Sequence, residues 1–290
     1  MSDDGRHALT IIAFIGSVFS PYYAAARRFG DGDPHNHCAI NVALYGPRKH
    51  WALTERTRSD LSRDASGLRI GPSSLSWDGA ALKIDIDERT VPLPSRIRGT
   101  VRVTAGGLPD RAMLLDARAR HRWHPVAPSA RIEVELKSPP LRWQGHAYVD
   151  CNYGEEPLER AFRRWDWARV ALPDGTAVLY DIECRDGTQR SFALRFDRDG
   201  SMQEAELPER GRLPTTLWGV RRYAHSEDGA PQLLKTVEDT PFYARSLVRL
   251  RFDGAPRIAV HESLSLDRVK NPIVRAMLPF RMPRYRWRGR

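Results

Sequence analysis

Five of the Asp-Gly pairs in this chain stand as strong hairpin signals: Asp78-Gly79, Asp174-Gly175, Asp186-Gly187, Asp199-Gly200 and Asp253-Gly254. Asp-Gly supplies the positive φ angles that two-residue hairpin turns demand, so each pair predicts two antiparallel strands joined tightly. Between them lie short runs with β-type patterning, at 9–14, 39–45, 82–86, 100–103, 131–136, 145–150, 166–172, 177–183, 191–196, 233–238, 247–252 and 257–262. The pair 177–183 and 191–196, joined through Asp186-Gly187, is the clearest hairpin. Helical patterning is confined to 157–164 and 271–277. Many strands at regular spacing with scarce helix predict an all-β protein of antiparallel barrels or sandwiches. Twelve strands exceed one small barrel, which predicts two domains, 1–155 and 156–290.

At 290 residues each half is long enough to bury a core. Hydrophobic residues at 41 % and charged residues at 28 % fit a soluble globular chain. The net charge of +10 is concentrated at one end: eight Lys or Arg and no acidic residue follow Asp267. There cations alternate with apolar groups in Met277, Leu278, Phe280, Arg281, Met282, Arg284, Tyr285, Arg286 and Trp287. This pattern suits an anionic membrane surface or a solvated tail, and no nucleic-acid module accompanies it. Three cysteines without CxxC spacing fit a reduced, cytoplasmic compartment. Residues 9–16 are too few to span a bilayer, and Asp3 and Asp4 are the wrong charge for a signal peptide.

Chemistry-bearing motifs are sparse. GxGxxG, Walker, HExxH and GxSxG signatures are lacking, which argues against nucleotide-dependent chemistry and serine hydrolysis. His35, His37 and Cys38 are close, but strand alternation sends His37 and Cys38 to opposite sides, so no metal is expected. What remains are two strand-like segments. Alternation puts His121 and Trp123 on one side, and His146, Tyr148 and Asp150 on another. If both faces line one cavity, a carboxyl sits among aromatic rings with an imidazole in reach, an acid site for an apolar substrate. Trp143, Trp165, Trp167 and Tyr180 are further candidate walls; Trp165 and Trp167 share a face and Asp166 turns away. Asp150, Asp166 or Asp181 with Glu155 also admits a glycosidase reading, and Asp181 stands as a reserve acid.

These residues belong to blocks spread over the whole chain: FIGSVFSPY at 14–22, HCAINVALYG at 37–46, IGPS at 70–73, His121-Arg122-Trp123, YVDCNYG at 148–154, Trp165-Asp166-Trp167 and MLPFRMPR at 277–284. In that order they resemble the carotenoid 1,2-hydratase family, also called hydroxyneurosporene synthases. Some members carry a longer N-terminal region, which this chain lacks. The resemblance implies a tandem lipocalin-like β fold and cofactor-free addition of water to the terminal C1=C2 bond of acyclic carotenoids such as neurosporene or lycopene, within a bacterial pigment pathway. It maps the family's catalytic residues onto Asp150, His121, Trp123 and Tyr148; burial against Trp123 and Tyr148 makes Asp150 the expected acid, His121 is expected to orient the water or take its proton, and Tyr22 is a further candidate substrate contact. It implies an acyclic carotenoid substrate, peripheral contact with the inner membrane through the C-terminal Arg/aromatic segment, and other pigment-pathway enzymes as partners. A non-catalytic carotenoid or lipid carrier, and a cyclase or isomerase using the same acid, are the competing functions.

Overall fold

The computed structural model describes residues 1–285; Arg286 and Trp287 of the basic segment lie outside the described residues. Strands make up 57 % and helices 12 %, so the fold is all-β. All twelve expected strand segments fall within strands, and each of the five Asp-Gly pairs named above closes or borders a strand-to-strand turn. At Asp253-Gly254 both φ angles are positive, at 53° and 66°, as a mirror-type hairpin turn requires.

The chain folds as two units. The first comprises Met1–Ala105, Ala130–Ala147 and the described residues from Arg275. The second comprises Gly106–Ser129 and Tyr148–Val274. The division expected at 155/156 falls inside the second unit. The strands β10 (His121–Ser138) and β11 (Pro140–Gly154) are long enough to contribute residues to both units, so no single cut separates them.

In the first unit β1 (Ala8–Ile15), β2 (Cys38–Tyr45) and β3 (His50–Arg56) form an antiparallel sheet in the order β1-β2-β3. The central β2 is buried along nearly its whole length, which explains its apolar run, interrupted by Asn41, whose Nδ2 donates to the Ala52 carbonyl. A meander of β4 (Leu61–Arg63), β5 (Gly67–Ile70), β6 (Ser73–Trp77), β7 (Ala81–Arg89) and β8 (Arg96–Ala105) continues onto the second half of β10. Helix α1 (Pro21–Phe29) was not expected from the sequence. Its signal was nonetheless present: Ser20 Oγ caps the Tyr23 N–H at 2.8 Å, and Pro21 occupies the first turn.

In the second unit β9 (Met113–Leu114) pairs with the start of β10. A seven-stranded antiparallel sheet is built from β12 (Phe162–Leu172), β13 (Gly175–Cys184), β14 (Gln189–Asp197), β15 (Met202–Ala205), β18 (Gln232–Asp239), β19 (Tyr243–Phe252) and β20 (Ala255–Ser265). Its order is β15-β14-β13-β12-β20-β19-β18, and the ribbon of β16 (Arg210–Leu213) and β17 (Arg222–His225) stands apart from it. One face is apolar: Ala168, Val170, Leu179, Val248 and Leu250 pack with Leu213 and Ala224 of the ribbon. The other face carries Trp165, Trp167 and Arg169, all half-buried, while the intervening Asp166, Ala168 and Val170 are buried. The expected helix at 157–164 shrinks to α2 (Leu158–Ala161), because from Phe162 the backbone is taken up by pairing with β13. The sheet is followed by α3 (Leu266–Val269) and α4 (Pro272–Arg281), the latter matching the expectation at 271–277.

Candidate active site

Strand β10 enters the second unit through a tight turn held by Asp116. Its carboxylate accepts from the backbone N–H of Arg118, Arg120 and His121 and from His121 Nδ1. Burial pushes the Asp116 carboxyl up, but the bonds from His121 and Arg120 outweigh it and hold it below the usual range. His121 Nε2 meets the carbonyl of Glu156 at 2.9 Å, and Phe162 packs on the ring at 4.7 Å. Gly154 allows that approach, since a Cβ there would stand 2.5 Å from His121 Cδ2. Both imidazole nitrogens therefore face protein acceptors and His121 is only 1 % exposed. In this arrangement neither nitrogen is left to take a proton from water. Through these contacts His121 anchors the start of the strand that carries Trp123.

Trp123 follows on the same side and is fully buried. Its indole Nε1–H donates to Asp150 Oδ2 at 2.8 Å. Tyr148, two residues before Asp150 and on the same side of β11, donates its hydroxyl to the same oxygen at 3.1 Å. Strand alternation thus brings the three expected residues together, with Trp123 bonded directly to the carboxyl. Around them Tyr180 lies 5.5 Å and Phe192 6.0 Å from the Trp123 ring. Trp167 stands 5.3 Å from Tyr148. Trp165 is 6.3 Å from Tyr180. The Asp150 carboxyl is pushed up to about 6, first by burial and then by the charge of Glu262, against the two donors that favour its ionised form. Asp150 and Tyr148 are half-buried as whole residues. A carboxyl that keeps its proton up to about pH 6, bonded by an indole and a phenol with further aromatic rings around them, can protonate an apolar substrate.

The remaining expected residues are placed elsewhere. Trp143 is buried on the part of β11 that belongs to the first unit. His146 is exposed there, 3.7 Å from Asp3. Tyr22 also lies in the first unit, with Arg284 5.8 Å from its ring. Arg284 in turn bonds Glu55, which holds His37 Nδ1 at 2.8 Å. A cavity of about 630 Å³ opens there, lined by Asn36, Thr57, Ser59 and Arg284 and containing none of the acid-site residues. His35 bonds Asp33 and the Cys38 thiol bonds backbone carbonyls, its acidity suppressed to about 11 by burial. His35, His37 and Cys38 thus go to separate partners rather than to a shared metal position.

Asp166 and Asp181 are direct cross-strand partners on the opposite face of the sheet from Trp167 and Tyr180. Burial pushes Asp181 up, but His225 and Ser191 outweigh it and hold it ionised, so it is no reserve proton donor. Asp166 is engaged by Ser263 and flanked by Arg164 and His261. Reasoning from the sequence missed Asp116, Phe192 and Glu262. Glu262 ended an expected strand, but nothing local tied it to Asp150.

The model of the family described as carotenoid hydratase CrtC matches residues 11–289. The chain belongs to this family of carotenoid hydratases. It is 55 % identical over 287 residues to the acyclic carotenoid 1,2-hydratase of Thiocapsa roseopersicina, covering 98 % of this chain and 71 % of that protein. Identity to the protein of the same name from Rubrivivax gelatinosus is 52 % over 289 residues, with the same coverage. The Cereibacter sphaeroides relative, also named acyclic carotenoid 1,2-hydratase, is 38 % identical over 94 % of this chain and 98 % of its own length. Among solved structures, one described as AttH of Nitrosomonas europaea superposes with a TM-score of 0.56 at 14 % identity, over 91 % of this chain and 88 % of that one. That likeness concerns the fold, which is of the tandem lipocalin-like β type. Within this hydratase-family chain, the blocks around His121, Tyr148 and Trp165 converge on Asp150, all in the second unit.

Proposed function

We propose that this chain is an acyclic carotenoid 1,2-hydratase that works by acid catalysis without a cofactor. The observation that carries the reading is Asp150, bonded by Trp123 and Tyr148, with Trp167 packed on Tyr148, and with its carboxyl raised to about 6. Adding water to a trisubstituted terminal alkene is redox-neutral, and its difficult step is protonating carbon. Oδ2 already accepts from Trp123 and Tyr148, so the acidic proton resides on Oδ1. Transfer to C2 leaves a tertiary cation at C1, which the faces of Trp167, Tyr148 and Tyr180 stabilise by up to about 2 kcal/mol each where water is excluded. Water then bonds to C1 and gives the tertiary alcohol. Incubation with lycopene or neurosporene in ¹⁸O-labelled water is expected to give a product heavier by one labelled water. A bound but unchanged polyene would point instead to a carrier, and an isomer without mass gain to a cyclase or isomerase.

The same reading places the protein at a membrane surface, because its substrate dissolves in lipid. Among the described residues no helix is long and apolar enough to cross a membrane. Helix α4 supports surface contact: Ile273, Met277 and Phe280, spaced to share a helix face, are 72 %, 38 % and 79 % exposed. Arg275 and Arg281 share the helix, and Lys270 precedes it. Replacing Ile273 and Phe280 together by Ser is expected to lower partitioning onto anionic vesicles roughly tenfold or more, since each buried side chain contributes on the order of 1.5–3 kcal/mol. Cosedimentation with liposomes checks this; unchanged partitioning removes α4 from the reading.

A further inference from the structure

In the hydration reading the attacking water must give up a proton, and His121 has no nitrogen to spare for it. One row of cross-strand partners supplies a candidate. Tyr180, Trp167, Glu262 and Arg245 are successive direct partners across β13, β12, β20 and β19. Directly opposed residues of an antiparallel sheet point to the same face with Cβ atoms about 4.5–5.5 Å apart. Glu262 is therefore the immediate neighbour of Trp167, whose ring packs on the Tyr148 ring, and Tyr148 is bonded to Asp150. The side chain of Glu262 is half-buried. Arg245 grips one of its oxygens, Oε1, through both Nε and Nη2 at 2.8 Å, which leaves Oε2 to accept from a third group. The buried Nε1–H of Trp167 has no hydrogen-bond partner and is a donor suited to a water oxygen. That Glu262 is close enough to raise the Asp150 carboxyl is consistent with two acids serving one reaction centre.

Resting on the hydration reading, we propose that Glu262 is the general base of this site, receiving a proton from a water held by Trp167 Nε1–H, with Arg245 as its positioning residue. In the first step the Asp150 proton forms the C2–H bond with the π electrons of C1=C2, and Asp150 becomes a carboxylate. In the second a lone pair of the water oxygen forms the C1–O bond while one of its O–H bonds breaks, the proton passing to Glu262. The product is the tertiary alcohol; the proton returns from Glu262 to Asp150 through solvent, so none is consumed.

The two steps separate in heavy water. With lycopene in D₂O, Glu262→Gln is expected to hydrate roughly 10²-fold or more slowly than wild type. It should still place deuterium at C2 of recovered lycopene, because protonation by Asp150 and its reversal do not use Glu262. Asp150→Asn should lose both. Glu262→Asp, which keeps the charge beside Arg245, should recover part of the hydration and, should the Gln variant not fold, reads the same ratio of exchange to hydration, expected above that of wild type. Hydration by Glu262→Gln at the wild-type rate would overturn the proposal. So would a folded, carotenoid-binding Glu262→Gln that loses exchange together with hydration, since Glu262 would then act on Asp150 and not on water. A wild-type protein that hydrates neither lycopene nor neurosporene would instead sink the hydration reading itself.

Discussion

Asp150→Asn is expected to abolish hydration and at the same time to make the protein more stable above pH 6. The loss of activity follows from the chemistry: an amide keeps the acceptor for Trp123 and Tyr148 but has no proton acidic enough for carbon. Removing a positioned acid costs roughly 10²–10⁴-fold in rate. The gain in stability follows from the raised carboxyl, which stands at about 6 in the fold against 3.8 for an ordinary Asp. A group raised by folding stabilises the fold while protonated and loses that contribution as pH rises through its folded value. Below about pH 4 both states hold the proton and the variant gains nothing from this source. Between about pH 4 and pH 6 the wild type pays progressively for a buried charge, and above pH 6 the difference levels off. Two pKa units correspond to about 3 kcal/mol, an upper figure for a residue that keeps partial exposure. Urea denaturation of both proteins at pH 4 and pH 8 measures it; equal stability at pH 8 would mean that the carboxyl is not held up by burial.

The pH profile of the wild type carries the second large effect. Only the protonated Asp150 can start the reaction, so kcat/KM should fall tenfold per unit above about pH 6, about 100-fold by pH 8. The tyrosines and Arg169 around this carboxyl do not add a limb in that range. Burial and the nearby charge of Asp150 push Tyr148 and Tyr180 well above the phenol range, and Arg169, 5.6 Å from the Tyr148 ring, is lowered by burial only to about 10. Two substitutions should move the limb in opposite directions. Trp123→Phe removes a donor that favours the carboxylate and should shift it to higher pH. Glu262→Gln removes a negative charge and should shift the residual activity to lower pH. A profile without a limb between pH 5 and pH 8 would exclude Asp150 as the proton source.

Asp166 illustrates how far the sequence could be read. Alternation in 166–172 placed Trp165 and Trp167 on one face and Asp166 on the other, and the structure bears that out. Which face mattered was not decided locally. Asp166 meets Ser263, 97 residues later, because β12 pairs with the last strand of the sheet. The same closure brings Glu262 next to Trp167, a neighbour that no spacing in the sequence announces. His121 was legible as an inward residue, but not as one with both nitrogens engaged. Its partners Asp116 and Glu156 lie in turns whose hydrogen bonds depend on how β10 and β11 pass each other.

By itself, then, the sequence determined the strands, their turns and which side chains share a side, His121 with Trp123 and Tyr148 with Asp150. All of these rest on φ preferences and a two-residue period that act over a few residues. The interleaving of the two units along the chain, the bond from Trp123 to Asp150, the partners of His121 and Asp181, and the placing of Glu262 beside Trp167 with Arg245 bound to it were decided only by the tertiary structure. The reason is that antiparallel sheets pair strands by global closure and not by proximity in the chain. The free energy that selects one closure over another is spread across the whole buried sheet.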